Sequence, residues 1–361
     1  MARLDEFLRK MVSLGGSDLH LCSTLPPKTR IHGNLAPLPG EKPISAEEMK
    51  NILKEAAPRS KWRAFVKNFD MDYAYVIPGL ARFRSNYLVN HFGPAAVFRV
   101  IPTKILTIEQ LKLPPILTDI CEYKSGLVLV TGPTGSGKST TLAAMIDYIN
   151  TTQSKHIITI EDPIEFVHPN KQSIIVQREI SADTDSFATA LRGAMRADPD
   201  IILVGEMRDQ ETINLALTCA SMGMLVFGTL HTSNAPKTID RIIDSFPSEQ
   251  QPQVRAMLSQ SLSAVVSQLL CKTKNGKGRV GAHEILLKTE GLPSMIREGQ
   301  IASIRSVIEQ SSGIGMRSMD TTLHKLLDKD IISAMEAYMK AANKQEFEKL
   351  LTPDDLAQII E

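Results

Sequence analysis

The sequence predicts an α/β protein in two parts: an N-terminal domain where strands and helices do not strictly alternate, then a mainly parallel sheet with a helical C-terminal region. Three observations carry this. Strand-like runs at 70–77, 81–90 and 95–101 suggest a curved antiparallel sheet with helices on one face. Near-continuous Val/Ile/Leu runs at 126–131, 156–160, 201–204 and 225–229 alternate with helical segments, as in a parallel sheet covered on both faces. Past Glu284, short apolar-periodic segments such as 301–310 and 318–327 indicate helices.

Taken in order, Leu4, Phe7, Leu8 and Met11 recur at helical spacing, and Gly15-Gly16 ends that helix. Residues 18–22 alternate like a short strand. After Pro26-Pro27, Gly33-Asn34 suits a hairpin turn between strands at 28–32 and 35–38. A helix at 45–56 opens on Ser45, with Glu48 three residues on, as in a capping box. Phe92-Gly93-Pro94 separates the last two strands of the first domain. The stretch 102–115 holds three prolines and little periodicity, so the domains are expected at 1–101 and 116–361 with a linker between.

With 361 residues the chain has room for two or three domains at roughly 100–200 residues each. Its 43% hydrophobic, 22% charged and 5% aromatic content is that of a soluble globular protein. Lys plus Arg (41) against Asp plus Glu (40) leaves +1, which argues against nucleic-acid binding by bulk phosphate neutralisation but leaves a local basic face open. Cys22, Cys121, Cys219 and Cys271 lie far apart, so neither a disulfide framework nor a zinc ribbon is expected, and reduced thiols fit a cytoplasmic chain. The amphipathic start lacks a signal-peptide core, and no apolar run approaches the roughly 20 residues that span a bilayer. Any role at a membrane is therefore expected through a partner, without insertion.

The strongest motif is Gly132-Pro133-Thr134-Gly135-Ser136-Gly137-Lys138-Ser139-Thr140, which fits G-x-x-x-x-G-K-[ST] between an apolar strand and a helix. Glycines let backbone N–H groups converge on phosphate oxygens, and the helix presents its positive end to them. Lys138 is expected at the β and γ phosphates of ATP and Ser139 on Mg²⁺. The apolar run 201–204 leads to Gly205-Glu206, where Glu206 is the candidate for metal or metal-bound water. Thr159-Ile-Glu161-Asp162-Pro163-Ile-Glu165 clusters three carboxylates after a strand, costly unless a cation or proton relay compensates. In Gly228-Thr-Leu-His231-Thr-Ser, His231 is either a sensor of the γ phosphate or a core histidine pinned by Thr229 or Thr232.

These four motifs, in this order, resemble the secretion ATPase superfamily, as Walker A, Asp box, atypical Walker B and His box. Within it the chain is similar to type IV pilus retraction ATPases of the PilT/PilU group, over residues 4 to about 327, including Gly15-Gly-Ser-Asp-Leu-His-Leu21 and Asp198-Pro-Asp-Ile-Ile-Leu-Val-Gly-Glu-Met-Arg208. The resemblance implies a PAS-like N-terminal domain, a RecA-like ATPase domain and a homohexameric ring. It also implies that Arg82, Arg84 and Arg99, on two adjacent predicted strands, and Arg241 after the His box are directed at nucleotide phosphates.

Glu165, with Glu161 in support, is then expected to activate water, and loss of the γ phosphate to release a clamp between domains. The implied setting is the cytoplasmic side of the inner membrane at the pilus machine, with a membrane platform protein as partner and a second retraction ATPase as a further one. The absence of a four-cysteine zinc module favours retraction over pilus extension or type II secretion, the nearest alternatives. The stretch Gly291-Leu-Pro-Ser-Met-Ile-Arg-Glu298 keeps only the last three residues of a motif usual in PilT proteins, as in the PilU branch. From other classes, an ATP-dependent scaffold is opposed by the carboxylate set Glu161, Glu165 and Glu206, and a nucleic-acid motor by the neutral charge.

Overall fold

In the computed structural model, residues 2–31, 33–101, 104–276, 278–353 and 355–356 are described. The chain forms two compact units, Met1–Lys104 and Ile105–Glu361. Pro102 and Thr103 of the expected linker, and His32 of the expected hairpin, lie outside the described residues.

The first unit runs α1 (Arg3–Ser13), β1 (Asp18–Cys22), β2 (Lys28–Ile31), β3 (Asn34–Pro37), α2 (Ala46–Ala56), α3 (Arg59–Asn68), β4 (Asp70–Ile77), β5 (Ala81–Asn90) and β6 (Gly93–Ile101). Its strands form one antiparallel sheet in the order β3-β2-β1-β6-β5-β4. All three helices feed one core: Leu4, Phe7, Leu8 and Met11 from α1, Met49 and Leu53 from α2, and Phe65 from α3 join Leu19, Phe83, Tyr87 and Phe98 of the sheet. Ser45 does cap α2, its Oγ accepting from the Glu48 N–H at 3.2 Å, but the Glu48 carboxylate pairs with Arg3. Phe92 belongs to the turn before β6, while Gly93 and Pro94 are already strand. Helix α3 was not expected, because Phe65 is its one fully buried residue and leaves no apolar stripe to read.

The second unit runs α4 (Ile116–Cys121), β7 (Gly126–Thr131), α5 (Lys138–Thr152), β8 (His156–Glu161), β9 (Ile174–Glu179), α6 (Phe187–Ala194), β10 (Ile201–Val204), α7 (Gln210–Ser221), β11 (Leu225–Leu230), α8 (Ala235–Asp244), α9 (Gln251–Ser261), β12 (Leu262–Lys272) and β13 (Arg279–Leu287). Helices α10 (Leu292–Glu298), α11 (Ile304–Gln310), α12 (Met319–Asp328), α13 (Ala334–Lys340) and α14 (Lys344–Glu348) follow. The sheet order is β13-β12-β7-β11-β10-β8-β9, parallel except for β13, which returns antiparallel against β12. Strands β7, β10 and β11 are buried at every residue, which explains their unbroken apolar sequences. Among the described residues, no helix is long and apolar enough to cross a membrane.

Candidate functional site

Strand β7 releases the chain into the loop 132–137, and α5 begins at Lys138. Two glycines are obligatory there. At Gly132 (φ +146°) a Cβ would lie 2.3 Å from the Gln268 carbonyl oxygen, and at Gly137 (φ +91°) 2.8 Å from Gln268 Nε2. The loop is thus pressed against β12 in a conformation that side chains do not allow.

Gln268, buried on β12, is what it is pressed against. Its Nε2 donates to the Ser136 carbonyl at 2.7 Å, and its Oε1 accepts from Thr141 Oγ1 at 2.7 Å. One amide therefore ties the loop to the first turn of α5. Beside it, Thr131 Oγ1 and Ser267 Oγ share a hydrogen bond of 2.8 Å. Sequence reading passed over Gln268, although an amide set in an apolar strand is a readable sign of a buried polar duty.

Lys138 Nζ donates to the carbonyls of Gly132 (2.8 Å) and Pro133 (3.2 Å) and stands 3.5 Å from His231 Nδ1. Burial lowers the lysine pKa, and the nearby Glu206 charge opposes that shift. The Ser136 hydroxyl is buried and has no hydrogen-bond partner among the described residues. An unpartnered hydroxyl and a buried ammonium at a helix start fit a phosphate group.

At the end of β10, Glu206 Oε2 accepts from the Arg208 guanidinium at 2.5 Å, and its Oε1 lies 3.2 Å from His231 Nε2. The Arg208 hydrogen bond holds this carboxyl below its ordinary pKa against the opposing effect of burial, and the Arg208, His231 and Lys138 charges add to it. Lys138, His231, Glu206 and Arg208 thus form a continuous polar line. Of the two readings of His231, the core histidine fails, since the side chain is 42% exposed. Thr229 Oγ1 instead donates to the Gly205 carbonyl, fastening β11 to the residue before Glu206.

The three clustered carboxylates separate into different environments. Glu161 Oε1 accepts from Thr159 Oγ1 (2.7 Å) and Gln177 Nε2 (3.2 Å), and its Oε2 from the Glu165 N–H (3.4 Å). Burial raises the Glu161 pKa, those three hydrogen bonds oppose it, and the neighbouring Glu165 charge raises it again. Asp162 is exposed, and its peptide to Pro163 is cis; Glu165 is half-buried. The phosphate loop, His231, Glu206 and Glu161 follow the carboxyl ends of β7, β11, β10 and β8, four strands adjacent in that order. That edge is where ligands of open parallel sheets bind.

The predicted arginines lie on other elements. Arg241 is exposed on α8 and forms no ion pair among the described residues. Arg82, Arg84 and Arg99 belong to the first unit. There Arg84 and Arg99 are directly opposite on β5 and β6, and the half-buried Arg82 lies opposite Ile101 on the same face. Arg99 Nε donates to Asp18 Oδ1 at 2.7 Å, while the side chain is 69% exposed, so the outer fork of the guanidinium remains open. Burial works against the ionised Asp18, yet hydrogen bonds from Ser17 and Arg99 hold its pKa below the ordinary value. A second overlooked group is Glu284, buried on β13, which accepts from the Ala235 N–H at 2.8 Å and pins the start of α8 behind His231.

Among the described residues, no group of three or more His, Cys, Asp or Glu is arranged to hold a metal by itself. The Ser139 hydroxyl at the start of α5 and the Glu206 carboxylate are hard oxygen donors, a set suited to Mg²⁺ that shares its coordination with phosphate oxygens.

The model of the type II/IV secretion system protein family matches residues 73–293. A twitching motility protein of Neisseria gonorrhoeae is 50% identical over 319 residues, 88% of this chain and 85% of that protein. A type IV pilus retraction ATPase, PilT of Pseudomonas aeruginosa, is 47% identical over 344 residues, 95% of this chain and 99% of that one. Among solved structures, the crystal structure of the pilus retraction motor PilT with bound ADP matches with a TM-score of 0.90 at 42% identity, covering 95% of this chain and 98% of that chain.

Proposed function

The chain belongs to the type II/IV secretion system protein family, and from that premise we propose that it is an ATPase motor that powers type IV pilus retraction. The observation that carries the reading is the alignment of phosphate loop, His231, Glu206 and Glu161 along the carboxyl ends of four adjacent strands. Such a row places cation, acid and water-activating groups around one phosphoryl group.

In this reading, Lys138 exchanges the carbonyls of Gly132 and Pro133 for the β and γ phosphates of ATP, and the loop N–H groups with Ser136 Oγ complete the cradle. The exposed Pro133 and Thr134 form the solvent side of the loop, and Thr140 follows Ser139 in the first turn of α5. Mg²⁺, held by Ser139 and by Glu206 directly or through water, would neutralise charge on the phosphates. Glu165 takes the proton of the attacking water, and Glu161 holds the Glu165 backbone in place. His231, between Lys138 and Glu206, registers departure of the γ phosphate because Lys138 then returns toward the loop carbonyls. Arg82, Arg84, Arg99 and Arg241 supply guanidinium groups to nucleotide phosphates once a hexameric ring assembles. The ring acts on an inner-membrane platform protein, from the cytoplasmic face.

The biochemical test is steady-state turnover with Mg²⁺: Lys138→Ala and Glu206→Gln should each lose at least about 100-fold in kcat, whereas full activity sinks the site assignment. The biological test is deletion of the gene. Piliated cells that do not twitch are expected; bald cells would mean extension instead. The altered stretch 291–298, which forms α10 and its N-cap, keeps only the last three residues of the motif usual in PilT proteins and favours a second reading as an accessory to another retraction ATPase. That reading predicts that deletion weakens retraction force without abolishing retraction.

A further inference from the structure

Helix α3 carries four cations, Arg59, Lys61, Arg63 and Lys67, and no acidic residue. At i, i+4 and i+8, Arg59, Arg63 and Lys67 form one ridge, and all three are exposed. Among the described residues none of the three forms an ion pair or side-chain hydrogen bond. Like charges at this spacing repel, and Arg59 also faces the positive end of the helix dipole. Among the described residues no acidic group pairs with the ridge, so it is held against its own electrostatics.

Beside the ridge lies exposed apolar surface. Val66 is 56% exposed and Phe69 63%, and Phe69 is held in the left-handed region at φ +61°. Trp62 is half-buried against Phe65, which anchors the helix. The helix is therefore anchored by Phe65 and shows cations flanked by valine and phenylalanine. Asp70, the next residue after Phe69, is engaged by Asn86 Nδ2 at 3.2 Å. The unit around it holds sixteen Lys and Arg against nine Asp and Glu, a net +7.

We propose that α3 docks on an anionic phospholipid surface, with Arg59, Arg63 and Lys67 at the headgroups and Val66 and Phe69 in the interfacial layer. The charge calls for a dense anionic partner. Exposed apolar side chains among the cations are what an interfacial helix uses and a nucleic-acid backbone does not. The contact is peripheral, since one short helix side enters no further than the headgroup boundary. It does not depend on the retraction assignment.

The test is co-sedimentation of the full-length protein with vesicles of phosphatidylcholine alone and of phosphatidylcholine with 30% phosphatidylglycerol, with ATPase turnover and thermal unfolding as controls. Binding to the anionic vesicles is expected to exceed binding to neutral ones by at least about tenfold and to fall in high salt. The triple variant R59Q/R63Q/K67Q should lose that difference while keeping turnover and melting temperature. Val66→Ser with Phe69→Ser should weaken anionic binding several-fold while leaving the salt dependence. Equal binding to both vesicles, or an unchanged triple variant, overturns the proposal. So does a triple variant that binds vesicles normally but changes oligomeric mass, which would assign the ridge to a second copy. An apolar double variant that binds unchanged also overturns it, since simple attraction to any polyanion would then suffice.

Discussion

The two units solve opposite problems with opposite materials. The first is built on aromatics: Tyr73, Tyr87, Phe65 and Phe98 meet edge to face, and the Tyr73 and Tyr87 hydroxyls share a hydrogen bond of 2.7 Å. The second is almost wholly aliphatic, with Phe227 and Phe246 as the buried aromatics of its main core. The first unit nets +7 and points arginines outward from an antiparallel sheet, whereas the second nets −6 and sets Glu161 and Glu206 at the carboxyl edge of a parallel sheet. The neutral total of +1 is the cancellation of two strong and separate fields. Phosphate chemistry needs both signs: the second unit sets Lys138 and Arg208 beside Glu206, and the first adds a face of arginines.

The largest effect expected is the one that asks whether the first unit takes part in the chemistry at all. Arg84→Ala combined with Arg99→Ala should lower kcat by about 100- to 1,000-fold, the scale of a phosphate-directed arginine. Nucleotide binding, measured with a fluorescent ATP analogue, should fall much less, because the phosphate loop is intact. If turnover stays within threefold, the basic face of the first unit is not catalytic and the division of labour fails.

Acid should separate the units next. His283 and His168, both in the second unit, are pushed down to about 4 by burial. As pH falls through 6.5 the unfolded chain takes up these protons and the folded one does not, so stability present above pH 6.5 is lost down to about 4. At 1.36 kcal/mol per pH unit, the window is worth about 3 kcal/mol for each group. Half-buried His20 in the first unit shifts the same way through burial, which narrows the contrast. Asp18 acts in the same sense but in a lower window: its lowered pKa keeps its contribution above 3.8 and loses it only below. The chain's one tryptophan, Trp62, reports on the first unit, so far-UV circular dichroism should change before tryptophan fluorescence on acid titration. Coincident transitions, or a His283→Asn variant with the same profile, would break the contrast.

What could be read in the sequence divides along the same line. Strands β7, β8, β10 and β11 were legible because burial on both faces leaves unbroken apolar runs, and the phosphate loop because its chemistry is local. Edge strand β9 was not, since it alternates and exposes Ile174 and Val176. Strand β12 was hidden by the buried polar residues Ser263, Ser267 and Gln268, of which Gln268 holds the loop and Ser267 holds Thr131 just before it. Partner groups in each unit are distant in sequence: Lys138 with His231 and Glu206 with His231 in the second, and Asp18 with Arg99 in the first, meet only through strand order. Arg84, Arg99 and Arg241 became candidates through family resemblance alone, because periodicity marks a face and not its use.

Each unit braces a group proposed to reach phosphate with one buried polar side chain, and these braces should be smaller in effect than the groups they hold. Gln268→Leu leaves the Ser136 carbonyl and Thr141 hydroxyl unpaired, at a cost of about 2 kcal/mol in unfolding free energy, with KM for ATP raised more than kcat is lowered. Asp18→Asn keeps the shape but removes the charge that orients Arg99, and should lower kcat several-fold with KM little changed. If both variants shift the same parameter, the two braces serve one function and the contrast is blunted.

The smallest effect concerns strain. The second unit places Asp198 in the left-handed region at φ +53°, a residue type that enters it at little cost, whereas the first unit places Phe69 there at +61°. A bulky side chain in that region costs roughly 1–2 kcal/mol, and glycine removes the cost while giving back about 0.5–1 kcal/mol through the freedom of its unfolded chain. Because the ring is 63% exposed, little burial is lost with it. Phe69→Gly should therefore stabilise the first unit by about 0.5 kcal/mol, read as a rise in the Trp62-reported transition, while weakening attachment to anionic vesicles several-fold. A ring retained at a cost to stability is one selected for what it touches. Should Phe69→Gly instead destabilise the unit by more than about 1 kcal/mol, the ring is a packing element and α3 owes its shape to the fold alone.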